Sequence, residues 1–176
     1  MWGDPVTFKY GVRVQVRRVS EILATLDERG TIDQLPFMPE MLQYCGKAFN
    51  VSRQARQICV EGANIRGLSS AVFLDDLRCD GSAHGGCDKN CALIWKTAWL
   101  NPLKSDEFFI FDGEERSDMP STLRVMFDHG PYFCQSSNLL KATWPITRGN
   151  PRRWYQGSIA ASAPPHSPAI LSARSF

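Results

Sequence analysis

The chain has no apolar run near the roughly 20 residues that a membrane-spanning helix needs, so no membrane segment is expected in its 176 residues. Its first residues, MWGDPVTFKYGVRV, lack the basic start and apolar stretch of a secretory signal. The expected location is the cytoplasm, where thiols stay reduced. No excess of one charge is present: 20 Lys and Arg against 18 Asp and Glu leave a net +2. A dedicated nucleic-acid binder carries a stronger basic bias. The G-x-S-x-G elbow and the phosphate-binding G-x-x-x-x-G-K-[ST] loop are both missing, and no internal repeat is visible. Histidine is scarce, at three residues: His84, His129 and His166.

Apolar residues make up 43% of the chain, enough for a core that does not rely on a metal. Val12, Val14 and Val16 alternate with Arg13, Gln15 and Arg17, the pattern of a half-buried strand. Ser20 is the expected cap of a short helix that Gly30 ends. LPFMPEM, residues 35–41, holds two prolines and cannot lie inside a long helix; it wraps a surface with Phe37 and Met38 inward. Residues 46–51 and 71–77 have strand character, and residues 54–60 continue or pair with the first of these. ALIWKTAWL, residues 92–100, brings Trp95 and Trp99 to the core. Residues 134–142 form a short helix, and Asn150-Pro151 opens another.

Short strands, small turns and few helices predict a mainly β chain with short helices (α+β). The expected architecture is a small SH3-like β-barrel over residues 1–104, with an inserted metal-binding loop at 79–91. An extension over 105–156 packs on it, and the Ser/Pro-rich, acid-free segment 157–176 reads as a disordered tail.

The strongest chemistry lies in RCDGSAHGGCDKNC. Cys79, His84, Cys87 and Cys91 are spaced C-x4-H-x2-C-x3-C. Three sulfurs and one nitrogen fill a tetrahedral shell, as in structural Cys3His zinc sites. Thiolate and imidazole select zinc, iron–sulfur clusters or Cu(I) over magnesium and calcium. Zinc is the favoured occupant, and a [2Fe-2S] or [4Fe-4S] cluster is the alternative. Gly81, Gly85 and Gly86 allow tight turns between ligands, and Lys89 favours deprotonated thiols. Cys134 is a candidate substitute ligand for His84 or Cys91, whereas Cys45 and Cys59 read as small buried hydrophobes. Asp75, Asp76 and Asp80 are either acceptors for the His84 N–H or solvated charge. Glu40, Asp27 and Asp33 show no acid–base spacing.

EILATLDERGTIDQLPFMPEMLQYCGKAF, RCDGSAHGGC and IWKTAWLNPL resemble segments of an uncharacterised bacterial protein family, with YFCQSSNLLKATWPI a weaker match. Coverage runs from Glu21 to Pro145. The resemblance implies that loop and barrel belong together, and it carries no established activity. After WPI the family continues with a longer tryptophan-containing segment, from which TRGNPRRWYQGS departs. The spacing is also close to the C-x4-C-x2-C of plant-type ferredoxins, with His84 at the second cysteine. CDGSAH is similar to the C-D-G-x-H segment of NEET-type proteins but has an extra residue before the histidine, and their upstream C-x-C is absent.

A full ligand shell without a companion acid, base or nucleophile points away from an enzyme. The expectation is a metal-stapled binding or accessory module that meets a protein partner. The alternatives are an iron–sulfur protein in electron transfer or redox sensing, and a zinc-stabilised nucleic-acid binder. Clusters such as Arg13, Arg17 and Arg18, Arg53 and Arg56, or Arg152 and Arg153 beside Trp154 would serve the last. Acidic stretches offset them.

Overall fold

The structure is a computed structural model that describes residues 8–103, 123–126, 130 and 132–146. The predicted helix start at Asn150, the tail 157–176, His129 and His166 lie outside the described residues. The described residues form one compact unit.

The chain is mainly β with a few short helices. Strand β1 (Arg13–Val16), β4 (Ala48–Gln54), β7 (Ala71–Arg78), β8 (Ala92–Lys96) and β9 (Leu100–Pro102) form a curled antiparallel sheet in the order β8-β7-β4-β1-β9. A second sheet pairs β5 (Gln57–Val60), β6 (Asn64–Gly67) and β10 (Trp144–Pro145) in the order β10-β6-β5. A two-residue ladder joins β2 (Thr31–Ile32) to β3 (Leu35–Pro36). The stretch 54–60 thus splits: Gln54 ends β4, and β5 pairs with β6 instead.

The core gathers around the larger sheet, and the first half of β7 and most of β8 are buried on both faces. Val14 and Val16 are fully buried, as their alternation requires. Gln15 is also buried, and its Nε2 donates to the Gly46 carbonyl at 2.8 Å. Trp95 and Trp99 are fully buried, and Phe37 meets Trp99 edge-on at 5.1 Å between ring centroids. Phe37, Met38 and Met41 seal this cluster. LPFMPEM is therefore a core segment that ends in a 3-10 helix, Pro39–Tyr44. Pro39 occupies its first turn, where no backbone N–H is needed.

Helix α1 (Val19–Leu23) departs from expectation at its start. Its cap is Arg18 instead of Ser20, because the Glu21 carboxylate accepts the Arg18 backbone N–H at 3.0 Å. Lys96 is buried; Asp33 accepts from its ammonium at 2.8 Å and the Ser69 carbonyl at 3.1 Å. Burial lowers its pKa, and Asp33 opposes that shift.

Helix α2 (Gln135–Ala142) begins after Cys134, whose sulfur accepts the Ser137 N–H. Its docking depends on one side chain. β8 is a sheet edge, so one side of its backbone has no strand to bond. Gln135 Oε1 accepts the Ile94 N–H at 2.8 Å, and Gln135 Nε2 donates to the Ile94 carbonyl at 2.8 Å and to the Pro36 carbonyl at 3.1 Å. A side-chain amide thus replaces a neighbouring peptide group. Asn138 Nδ2 donates to the Gln34 carbonyl, and Arg66 of β6 bonds the Thr143 hydroxyl and carbonyl at the helix end.

Replacing Gln135 by Leu should leave the Ile94 groups buried without partners. The expected loss is about 3 kcal/mol, from the three buried bonds that Gln135 makes to Ile94 and Pro36. Urea denaturation checks this: the midpoint should fall with an unchanged slope. An unchanged midpoint would remove Gln135 as the clamp.

Candidate metal centre

The loop between β7 and β8 is shaped by its backbone. The β7 register shifts between Phe73 and Arg78, and Asp75 within this bulge adopts a positive φ. The strand then delivers Cys79, whose N–H donates to the Cys91 carbonyl at 2.8 Å and closes the loop base. Asp80 Oδ1 accepts from Ser82 N–H at 2.9 Å and from its hydroxyl at 2.7 Å, starting a turn. These bonds hold the Asp80 carboxyl below its usual range. The Gly81 carbonyl then accepts the N–H groups of His84 and Gly86. Gly81 must be glycine, because its φ is +73° and a Cβ there would strike the Cys87 backbone.

This turn puts His84 against Cys79, with Sγ and Nε2 3.6 Å apart. The third member comes from the 3-10 helix after LPFMP. Glu40 Oε1 lies 3.2 Å from Cys79 Sγ and 3.5 Å from His84 Nδ1. Ligand atoms from Glu40, Cys79 and His84 all lie within 4.8 Å of one another. The Glu40 and His84 side chains are 1% and 5% exposed. Glu40 Oε2 and His84 Nδ1 have no hydrogen-bond partner among the described residues. Buried polar atoms left over at a point where a carboxylate, a thiol and an imidazole converge suit a cation. The three residues form a candidate metal-binding cluster.

Thiol, imidazole and carboxylate in this order also resemble a nucleophilic triad. Two observations weigh against that use. Glu40 contacts Cys79 directly as well as the imidazole, so it does not act only as an orienter of His84. Burial, and then the hydrogen bond to Glu40, push the Cys79 thiol up to about 12, although the Gly81 backbone opposes the shift. A nucleophile needs the thiolate. A divalent ion supplies the charge that would release this proton.

Of the predicted ligands, Cys79 and His84 are brought together. Cys87, Cys91 and Cys134 line a cavity that the cluster also borders, and they are not among the three converging groups. Cys45 packs half-buried against the core. Cys59 is exposed on β5 and lines the same cavity, so it is not a buried hydrophobe. The strand-end aspartates do not reach His84: Asp75 accepts the Asn50 N–H, and Asp76 pairs with Arg78. Lys89 bonds Glu61 at 2.9 Å and Ser136 at 3.3 Å. Arg17 pairs with Glu21, and the Arg53 guanidinium lies 4.3 Å from the Phe73 ring centroid.

Glu40 is the residue that sequence reasoning missed. Its signal was present, because a carboxylate between Phe37-Met38 and Met41 sits where charge is rarely buried without a partner. No family model, curated protein or solved structure matches the chain. Among the described residues, no helix is long and apolar enough to cross a membrane.

In metal-free protein Cys79 should resist alkylation at pH 8, while exposed Cys59 reacts first. Iodoacetamide labelling followed by peptide mass spectrometry checks the order. Equal rates would contradict a protonated Cys79.

Proposed function

We propose that the protein binds one zinc ion through Glu40, Cys79 and His84, with the remaining coordination position facing a ligand cavity. The observation that carries this reading is the convergence of three donors of different chemistry on the border of a cavity of about 820 Å³. Zinc suits a mixed sulfur, nitrogen and oxygen set. Structural zinc sites are closed by four protein ligands, whereas sites that act on a ligand keep a position open. On this reading Cys87 and Cys91 shape the cavity wall, and the ion serves to bind and polarise a small molecule. The curled antiparallel sheet supports an SH3-like barrel as the scaffold, with the loop between β7 and β8 carrying two of the ligands.

Anaerobically purified protein should be colourless and hold about one zinc per chain. Glu40→Gln, Cys79→Ser and His84→Ala should each bring zinc content towards zero, while Cys87→Ser and Cys91→Ser retain it. Elemental analysis of the five variants is the measurement. Zinc loss in Cys87→Ser and Cys91→Ser as complete as in Cys79→Ser would place the ion in a closed Cys3His shell instead. A brown protein containing iron, bleached by dithionite, would replace zinc with a cluster.

A further inference from the structure

The cavity beside the cluster is far larger than a metal-bound water requires. One water takes about 30 Å³, whereas this cavity measures about 820 Å³. Cavities of roughly 300–1,000 Å³ hold small organic molecules. Its walls differ in chemistry. Glu40, Cys79 and His84 supply the polar end. Ile58 and Val60 of β5 and Phe73 of β7 are apolar, as are Leu139 and Leu140 of α2.

Exposure gives a second, independent sign. Leu140 is 53% exposed and Tyr132 47% exposed, yet both border this cavity. Large apolar side chains left open on a concave surface fit an apolar ligand better than they fit water. Tyr132 also lies against the metal loop, its ring centroid 6.1 Å from that of His84. The apolar surface therefore continues up to the polar end.

Charge narrows the head group. A zinc ion held by one carboxylate, one thiolate and a neutral imidazole carries no net charge. Such a centre accepts a single anionic donor without the repulsion that a multiply charged group would meet. Lys89, at the rim, already has Glu61 as counter-ion. Arg53 also lines the cavity, its guanidinium over the Phe73 ring, and this single cation matches one negative charge better than two.

We infer that the cavity binds a small amphiphile, with one monoanionic carboxylate or thiolate head at the metal and an aliphatic or aromatic body against β5, β7 and α2. This rests on the zinc reading for the head and on the cavity walls alone for the body. The carbon skeleton of the ligand is unchanged; a thiol head gives its proton to solvent as its sulfur joins the metal, and a carboxylate head arrives already ionised.

The test uses the full zinc-loaded chain and two probe series: butanoate, hexanoate and octanoate, then ethanethiol, butanethiol and hexanethiol. Calorimetry should show tighter binding as the chain grows, by about fourfold per methylene if each is fully buried. A cobalt-substituted sample should change its visible spectrum with whichever head reaches the metal, which separates carboxylate from thiol. Leu140→Asp, at an exposed position, should keep zinc and fold while abolishing the chain-length gradient; circular dichroism and zinc content verify both. Affinity independent of chain length, or a gradient that survives Leu140→Asp, would overturn the amphiphile. Failure of the zinc reading looks different: the chain would hold no zinc, yet octanoate would still bind more tightly than butanoate. Zinc retained with no probe bound overturns the cavity inference alone.

Discussion

The buried carboxylate of Glu40 constrains everything around it. A charge removed from water must be neutralised or matched by an opposite charge at short range. Among the described residues, no lysine or arginine is paired with Glu40; it faces a thiol and an imidazole. Its position is fixed from below by Phe37, Met38 and Met41, which belong to the core. The side chain cannot swing out to solvent without disturbing that packing. The loop 79–91 must therefore bring compensation to Glu40. The Asp80 turn, the obligatory Gly81 and the Cys79–Cys91 backbone bond perform that task.

Two distant segments thus meet at one point, the 3-10 helix at Glu40 and the loop after β7. An ion shared between them would be bound by the folded chain and only weakly by the unfolded one, so its affinity adds directly to stability. A staple and a reactive centre are not exclusive in such an arrangement. The same three side chains that join loop to core also border the cavity.

What could be read in the sequence follows from range. The alternation of Val14 and Val16, the apolar run into Cys79 and the buried Trp95 and Trp99 are local patterns, and the structure has them. The mainly β class with short helices follows from the same patterns. Pairing Cys79 with His84 also lay within reach, because they are only five positions apart. Glu40 did not, since its partners are 39 and 44 positions away and no spacing rule connects them. Gln135 is a similar case, an ordinary polar residue whose role depends on a strand edge formed some 40 residues earlier. Cys59 shows the opposite error. Its apolar neighbours Ile58 and Val60 suggest burial, but on β5 they turn inward while Gln57 and Cys59 alternate to the exposed face. Helix α1 starts from its cap at Arg18 because Glu21, three residues on, reaches back to accept the Arg18 N–H, an anchor that needs no serine.

The clamp at Gln135 has a dynamic side. Leu139 and Leu140 of α2, with Cys134 at its cap, line one wall of the cavity. The Ile94 amide proton is covered by the first residue of that helix. It can exchange with solvent only when the helix lifts from the sheet edge. One amide proton in the core sheet therefore reports on the cavity wall, and its exchange rate follows the share of time that the wall stands open.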